Sequence, residues 1–172
     1  SERRQERIAV LFIDLDGFKP VNDSLGHAVG DRVLTEVAER LLVAARDSDT
    51  VARIGGDEFV LLMEDVPDIA DCAVLARRLL LTLAEPLHLS PQALHISASI
   101  GIAVYPDHGD GGKLVPHADA AMYAAKRAGG NTYVLFEQHM DAKAAEQLSL
   151  QTDLRQAMAS GQLALHYKPK FD

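Results

Sequence analysis

The run "IAVLFI", Ile8–Ile13, places six apolar residues in succession. A strand with one wet face alternates polar and apolar positions, so an unbroken run of this kind suits a strand covered on both sides. Asp14 and Asp16 follow, two apart, which points both carboxylates to one side at the strand's end. The stretch "NDSLGHAVGD" reads as a loop, with Asp31 placed to cap a helix. That helix carries its apolar stripe on Val33, Leu34, Val37, Ala38, Leu41, Leu42 and Ala45. "TVARIGGDEFVLLM" reads as strand, tight turn, strand. "DIADCAVLARRLLLTLAEP" is a second helix, stopped by Pro86. In "LHISASIGIAVYP", Leu94, Ile96, Ala98, Ile100, Ile102 and Val104 share one face, which predicts a long strand with two unlike faces. "HADAAMYAAKRAGGN" is a third helix, ended by Gly129 and Gly130, and "TYVLF" a short strand. This order predicts an α/β (α+β) fold, a mixed sheet flanked by helices.

Chemistry concentrates at two turns. The tip "GGDE" sets two glycines directly before Asp57 and Glu58, and the apolar run from Phe59 anchors it. If the two strands are neighbours, these acids converge with Asp14 and Asp16. Carboxylates gathered in this way suit Mg²⁺, which takes one or two of them plus substrate phosphates. Two such ions can clamp the attacking and leaving oxygens of a nucleotidyl transfer. Gly55 and Gly56 leave the backbone open to a bulky ligand. The plain alternative is a solvated acidic turn. The net charge of −8 argues against a nucleic-acid-binding face. An anionic ligand then needs a local basic pocket or metal. The seven histidines show no metal-ligand spacing. No apolar run is long enough to span a membrane, and no signal peptide is visible. Cys72, the lone cysteine, sits in a helical apolar pattern and reads as a buried, inert thiol. It fits a reducing compartment, so a cytoplasmic location is expected, with room for a membrane anchor upstream of Ser1.

"GGDEF", with "DLDGFKPVNDSLGHAVGD", "ASIGIAVYP" and "ADAAMYAAKRAGGN" in this order, resembles the GGDEF, or diguanylate cyclase, family over roughly residues 8 to 136. The resemblance implies a ferredoxin-like core, as in adenylyl cyclases. It also implies that two GTP molecules are condensed into cyclic di-GMP with release of pyrophosphate, by two GGDEF domains facing each other as a homodimer. By position, Asp14, the Leu15 carbonyl and Asp57 would hold Mg²⁺ or Mn²⁺, and Asp57 and Glu58 would be the catalytic acids. Asn22 and Asp31 would bind guanine. Gly17, Phe18, Lys19 and Lys126 would hold the phosphates, with Gly55 and Gly56 beside the nucleotide. For Lys19, a merely solvated lysine is the competing reading. The same resemblance makes Arg46 and Asp49 of "RDSD" an inhibitory site for the product, completed by Arg77 or Arg78. A charged helix end is the alternative there.

Two departures from the family pattern stand out. The usual "GRN" is "GGN" here, so Gly130 replaces an arginine used on the triphosphate, and Gly130→Arg would be expected to tighten GTP binding. The family's helix before the first strand, introduced by an "LTGL-NR" turn, is not found in the chain. Residues 137–161 read as a linker helix with Met140, Ala144, Leu148, Leu154 and Met158 as its apolar contacts, stopped by Gly161. Residues 162–172, "QLALHYKPKFD", resemble the opening strand of an EAL domain, the cyclic di-GMP phosphodiesterase family, whose form is "YQPK". The expected organisation is therefore a GGDEF domain over 1–136, a linker helix, and the start of a downstream EAL domain. A second function follows from that context: a catalytically weak GTP-binding module that regulates its EAL neighbour.

Overall fold

Strand β1 (Ile8–Asp16) lies at the centre of a five-stranded sheet of order β2-β3-β1-β4-β5. The computed structural model describes residues 7–89 and 93–141, together with Asp153, 156–158 and 160–161. Around β1 run α1 (Phe18–Leu25), α2 (His27–Ala44), β2 (Thr50–Gly55), β3 (Glu58–Met63), α3 (Ile69–Ala84), β4 (Ser97–Tyr105), α4 (Leu114–Arg127) and β5 (Thr132–Leu135). β1 pairs antiparallel with β3 and β4, β2 pairs antiparallel with β3, and β5 runs parallel to β4. The mixed sheet flanked by helices is thus as the sequence predicts, and the GGDE tip does neighbour the end of β1.

Alternation along β1 divides the core. Ala9, Leu11, Ile13 and Leu15 pack with α2 and α3, against Val33, Val37, Leu41, Leu75 and Leu79. Val10 and Phe12 pack with α4, against Ala118, Ala121 and Met122. Each large apolar side chain removed from water in this way contributes about 1.5–3 kcal/mol. Asp14 and Asp16 continue the even series, so they lie on the α4 face of the sheet.

β4 is buried on both faces, which corrects the expectation of unlike ones. Its second face is built from Ser97, Ser99, Gly101 and Ala103, small rather than wet. Leu94 lies outside the strand, in an isolated bridge to Leu87. A Cβ on Gly101 would stand 1.9 Å from the Ala118 carbonyl oxygen and 2.1 Å from the Met122 nitrogen. The helix therefore rests directly on the strand's backbone.

Two local readings also change. "FKPVNDSL" is a helix, α1, not a loop. Pro20 in its first turn and apolar Phe18, Val21 and Leu25 at helical spacing were the available signals. Asp31 does not cap α2. That helix starts at His27 after Gly26, whose φ of 83° makes the break, and Asp31 lies one turn inside. Leu42 is 60% exposed, so the buried stripe is narrower than expected. Asp68 caps α3, its side chain accepting from the Ala70 amide at 2.9 Å, an interaction of about 1 kcal/mol.

The linker helix and the EAL-like strand fall largely outside the described residues. Those described show helical backbone at 139–141 and 156–158. Met140 packs against the α4-side core, whereas Met158 is 67% exposed. Gly161, at φ 68°, lies in a turn. Among the described residues no helix is long and apolar enough to cross a membrane.

Cys72 is fully buried on α3, and burial, with Asp71 close by, pushes its thiol up to about 11. At pH 8 the thiol is therefore neutral as well as shielded. A disulfide reagent should label it in the unfolded chain but only at the slow rate of opening in the native one. Rapid labelling of native protein would contradict this packing.

Candidate active site

Near the end of β1, on its α4 face, Asp14 is 4% exposed, and its carboxylate meets the Lys126 ammonium at 2.6 Å. Lys126 reaches it from the last turn of α4, which Gly101 seats on the sheet. Asp14 is paired in register with Glu58, and the Leu15 amide donates to the Asp57 carbonyl at 3.3 Å. Burial holds the Asp14 carboxyl above the usual carboxylate range; the Lys126 bond and charge pull it back, and Asp57 and Glu58 push it up further. The tip is held by Arg53, whose Nε and a terminal nitrogen donate to the Gly56 carbonyl at 3.0 and 2.8 Å. Gly56 needs its glycine for a φ of 50°. Gly55 adopts no such angle, and a Cβ at either position meets nothing within 4 Å, so the space over the tip is open.

Beside the acids lies a cleft of about 510 Å³, lined by Leu15, Asp16, Gly17, Phe18, Lys19, Pro20, Asp57, Ser97, Lys126, Gly129 and Gly130. The strand end, the start of α1 and the end of α4 thus form one wall-to-wall site. Six expected residues share it: Leu15, Asp57, Gly17, Phe18, Lys19 and Lys126. Among the described residues, no three acidic, histidine or cysteine side chains close on one point to hold a metal. Mg²⁺ does not require three, since carbonyl, phosphate and water oxygens complete its shell. A buried carboxylate whose charge is disfavoured, with two more acids at its side, is a state that a dication relieves. The donor set fits the metal.

The family described as "Diguanylate cyclase, GGDEF domain" matches residues 1–132. The chain is a member of this GGDEF family. Over 171 residues it is 54% identical to the bifunctional diguanylate cyclase/cyclic di-GMP phosphodiesterase MucR of Pseudomonas aeruginosa, covering 98% of this chain and 24% of that protein. It is 40% identical over 167 residues to the cyclic di-GMP phosphodiesterase NbdA of the same organism, covering 96% of this chain and 21% of that one. The chain thus spans about a quarter or less of these relatives. The crystal structure of the GGDEF domain of TpbB from P. aeruginosa superposes with a TM-score of 0.76 at 44% identity, covering 78% of this chain and 84% of that one.

The remaining expected residues of the GGDEF domain lie apart from the acids. Asn22, on α1, lies over Gly30 of α2, where a Cβ would stand 1.9 Å from its Oδ1. That oxygen is buried and accepts no bond among the described residues. Asp31 borders a separate, smaller cleft with Leu34, Thr35, Ala38 and Arg53. In "RDSD", Asp49 Oδ2 accepts from the Arg46 amide at 2.8 Å and the Asp49 amide donates to the Arg46 carbonyl at 2.9 Å. The carboxylate therefore closes its own turn, and the exposed Arg46 side chain extends from it. Arg77 donates to the Tyr133 hydroxyl at 3.3 Å and lies over that ring. Arg78, by contrast, donates to the Ala44 carbonyl at the end of α2, so it is the arginine that approaches the "RDSD" turn.

Asp16 faces the cleft with its carboxylate already taken. Ser97 and Ser99 hydroxyls donate to it at 2.9 and 2.7 Å, and the Asn131 amide at 2.9 Å. Those partners escaped the sequence reading. The signal was present in "SAS", two hydroxyls at alternating positions on a strand otherwise apolar.

The geometry at Gly130 alters one expectation. Its φ is 72°, and a Cβ would stand 2.9 Å from Asp16 Oδ2. Gly130→Arg therefore carries a left-handed backbone cost of about 1–2 kcal/mol and crowds the Asp16 carboxylate with its Cβ. Lower thermal stability with no gain in GTP affinity is expected. Calorimetry and a thermal melt check this, and a tenfold tighter GTP complex would overturn it.

Proposed function

We propose that this domain holds Mg-GTP at the strand-end acids and, facing a second copy, condenses two GTP molecules into cyclic di-GMP. The observation that carries the reading is the meeting of Asp14, Asp57 and Lys126 at the rim of the Gly17–Lys19 cleft. Lys126 and Lys19, with the Gly17 and Phe18 amides, bind the terminal phosphates as charges and N–H donors. Asn22 would bind the guanine N–H groups by turning its Oδ1 out from its buried place over Gly30, and Asp31 would accept at the same edge. Asp14, the Leu15 carbonyl and Asp57 are the oxygens to hold Mg²⁺ or Mn²⁺, which when bound supplies charge stabilisation at the α-phosphate. Glu58, paired with Asp14 across the strands, would take the proton from the ribose 3′-hydroxyl of the attacking nucleotide. That oxygen bonds to the α-phosphorus of the other GTP, and pyrophosphate leaves. The same step in the opposite sense closes the ring.

The longer protein, incubated with GTP and Mg²⁺ and resolved by chromatography, should yield cyclic di-GMP and two equivalents of pyrophosphate. GTP recovered intact would defeat the cyclase reading.

The NbdA likeness, over a stretch that reaches into the EAL-like residues, favours a second reading. In it, Gly130 weakens turnover and the domain binds GTP to regulate a downstream EAL phosphodiesterase. GTP that accelerates cyclic di-GMP hydrolysis without being consumed would select this one.

Product inhibition is also proposed, with Arg46 and Asp49 as its centre and Arg78 in preference to Arg77. An arginine can donate to guanine O6 and N7 together. Arg46→Ala should weaken cyclic di-GMP binding about tenfold or more while GTP binding persists. Equal product binding by calorimetry would leave "RDSD" as a helix-terminal turn.

A further inference from the structure

We infer that Asp16 is a positioning residue: its carboxylate ties together the three segments that face the phosphates. The inference rests on the nucleotide reading of the cleft. An anion-binding wall is an unfavourable place for a carboxylate, since like charge repels the ligand. Asp16 is nevertheless there, at the cleft's edge. Its three bonds explain what it does.

Ser99 Oγ donates to Oδ1, and Ser97 Oγ and the Asn131 N–H donate to Oδ2. These donors come from β4 and from the turn after α4. Asp16 itself is the last residue of β1, directly before Gly17, whose φ of 73° swings the chain into α1. Holding Asp16 therefore holds the Leu15 carbonyl on one side and the Gly17 and Phe18 amides on the other. The third segment carries a conformational cost. Gly129, Gly130 and Asn131 have φ of 113°, 72° and 49° in succession. A non-glycine residue in this region persists only where its surroundings fix it. The Asn131 amide bond to Asp16 is such a fixing contact, and it lies five residues past Lys126 on the same chain. Gly130, with no side chain, lets the carboxylate come this close.

A strut that merely stabilised the fold would give the same distances, so the test must separate local position from global stability. Asp16→Asn in the full-length protein keeps the size and exchanges one acceptor oxygen for a donor. Amide hydrogen exchange without nucleotide is measured at Gly17, Phe18 and Asn131, with Leu11 and Ile102 as core references. Exchange at the first three should rise about tenfold or more, because a bond to a charged acceptor is lost, while the core references hold. The Kd of a non-hydrolysable GTP analogue with Mg²⁺ should rise about tenfold. Ser99→Ala, which removes one donor, should shift both in the same direction by less. Unchanged exchange at the three amides overturns the inference. So does faster exchange spread equally into Leu11 and Ile102, which marks a structural strut only. If wild-type protein binds no nucleotide, the proposed function falls, and the exchange comparison decides the role of Asp16 without it.

Discussion

Gly101→Ala should destabilise the domain by about 3 kcal/mol, the upper end for overpacking, and lower its melting temperature by roughly 6–12 °C. The added methyl would meet the Ala118 oxygen at 1.9 Å and the Met122 nitrogen at 2.1 Å, both backbone atoms of α4. No rotamer change relieves that contact. The helix must lift from β4, opening the layer formed by Val10, Phe12, Ala121 and Met122. Lys126 rides on the same helix, so its 2.6 Å contact with Asp14 should lengthen and GTP affinity should fall as well. A thermal melt within about 2 °C of wild type, well under the 2–4 °C per kcal/mol scale applied to this cost, would show that α4 is not seated on the strand's backbone.

Asp57→Ala should reduce cyclic di-GMP formation by at least about 10²–10³-fold, the scale of losing one group that stabilises charge in the transition state. The fold should survive. Asp57 is half-buried on the tip, outside the apolar run that anchors it, and its contact with the Leu15 amide uses the main-chain carbonyl, which alanine retains. Its charge also raises the Asp14 carboxyl, so without it Asp14 ionises more readily. The sign for stability follows. An acid raised by the fold favours the folded state at low pH and loses that contribution as pH rises through its folded value. The variant should therefore lose less stability than wild type, in metal-free buffer, as pH rises from about 4 toward neutrality. Loss of helical signal at room temperature would reassign Asp57 to structure.

The strands were legible because burial of β1 on both faces leaves an unbroken apolar run, and the hairpin arm from Phe59 leaves a second one. Adjacency of β1 and the GGDE tip was a condition of the acidic-site reading, and the pairing of Asp14 with Glu58 meets it. What escaped was tertiary. α1 is short and polar, so Phe18, Val21 and Leu25 form too brief a stripe to outweigh "NDSLG". β4 hides its second face because Ser97, Ser99, Gly101 and Ala103 are small, and small residues mark close packing only when the partner helix is known. Asp14 and Asp16 look equivalent in sequence, yet Lys126 meets one and two serines and an amide saturate the other. Arg77 and Arg78 differ by one position on α3, which turns one toward Tyr133 and the other toward the end of α2. Local pattern does not encode that rotation.

Titrating a non-hydrolysable GTP analogue into the protein by calorimetry, with Mg²⁺ and with chelator, decides whether Asp14 and Asp57 with Lys126 form a metal-dependent triphosphate site. Binding should require Mg²⁺, and Asp14→Asn should weaken it at least about tenfold, the loss of a charged ligand's interaction. Equal affinity in chelator, or an Asp14→Asn variant that binds like wild type, would show that these acids do not hold a metal-bound triphosphate.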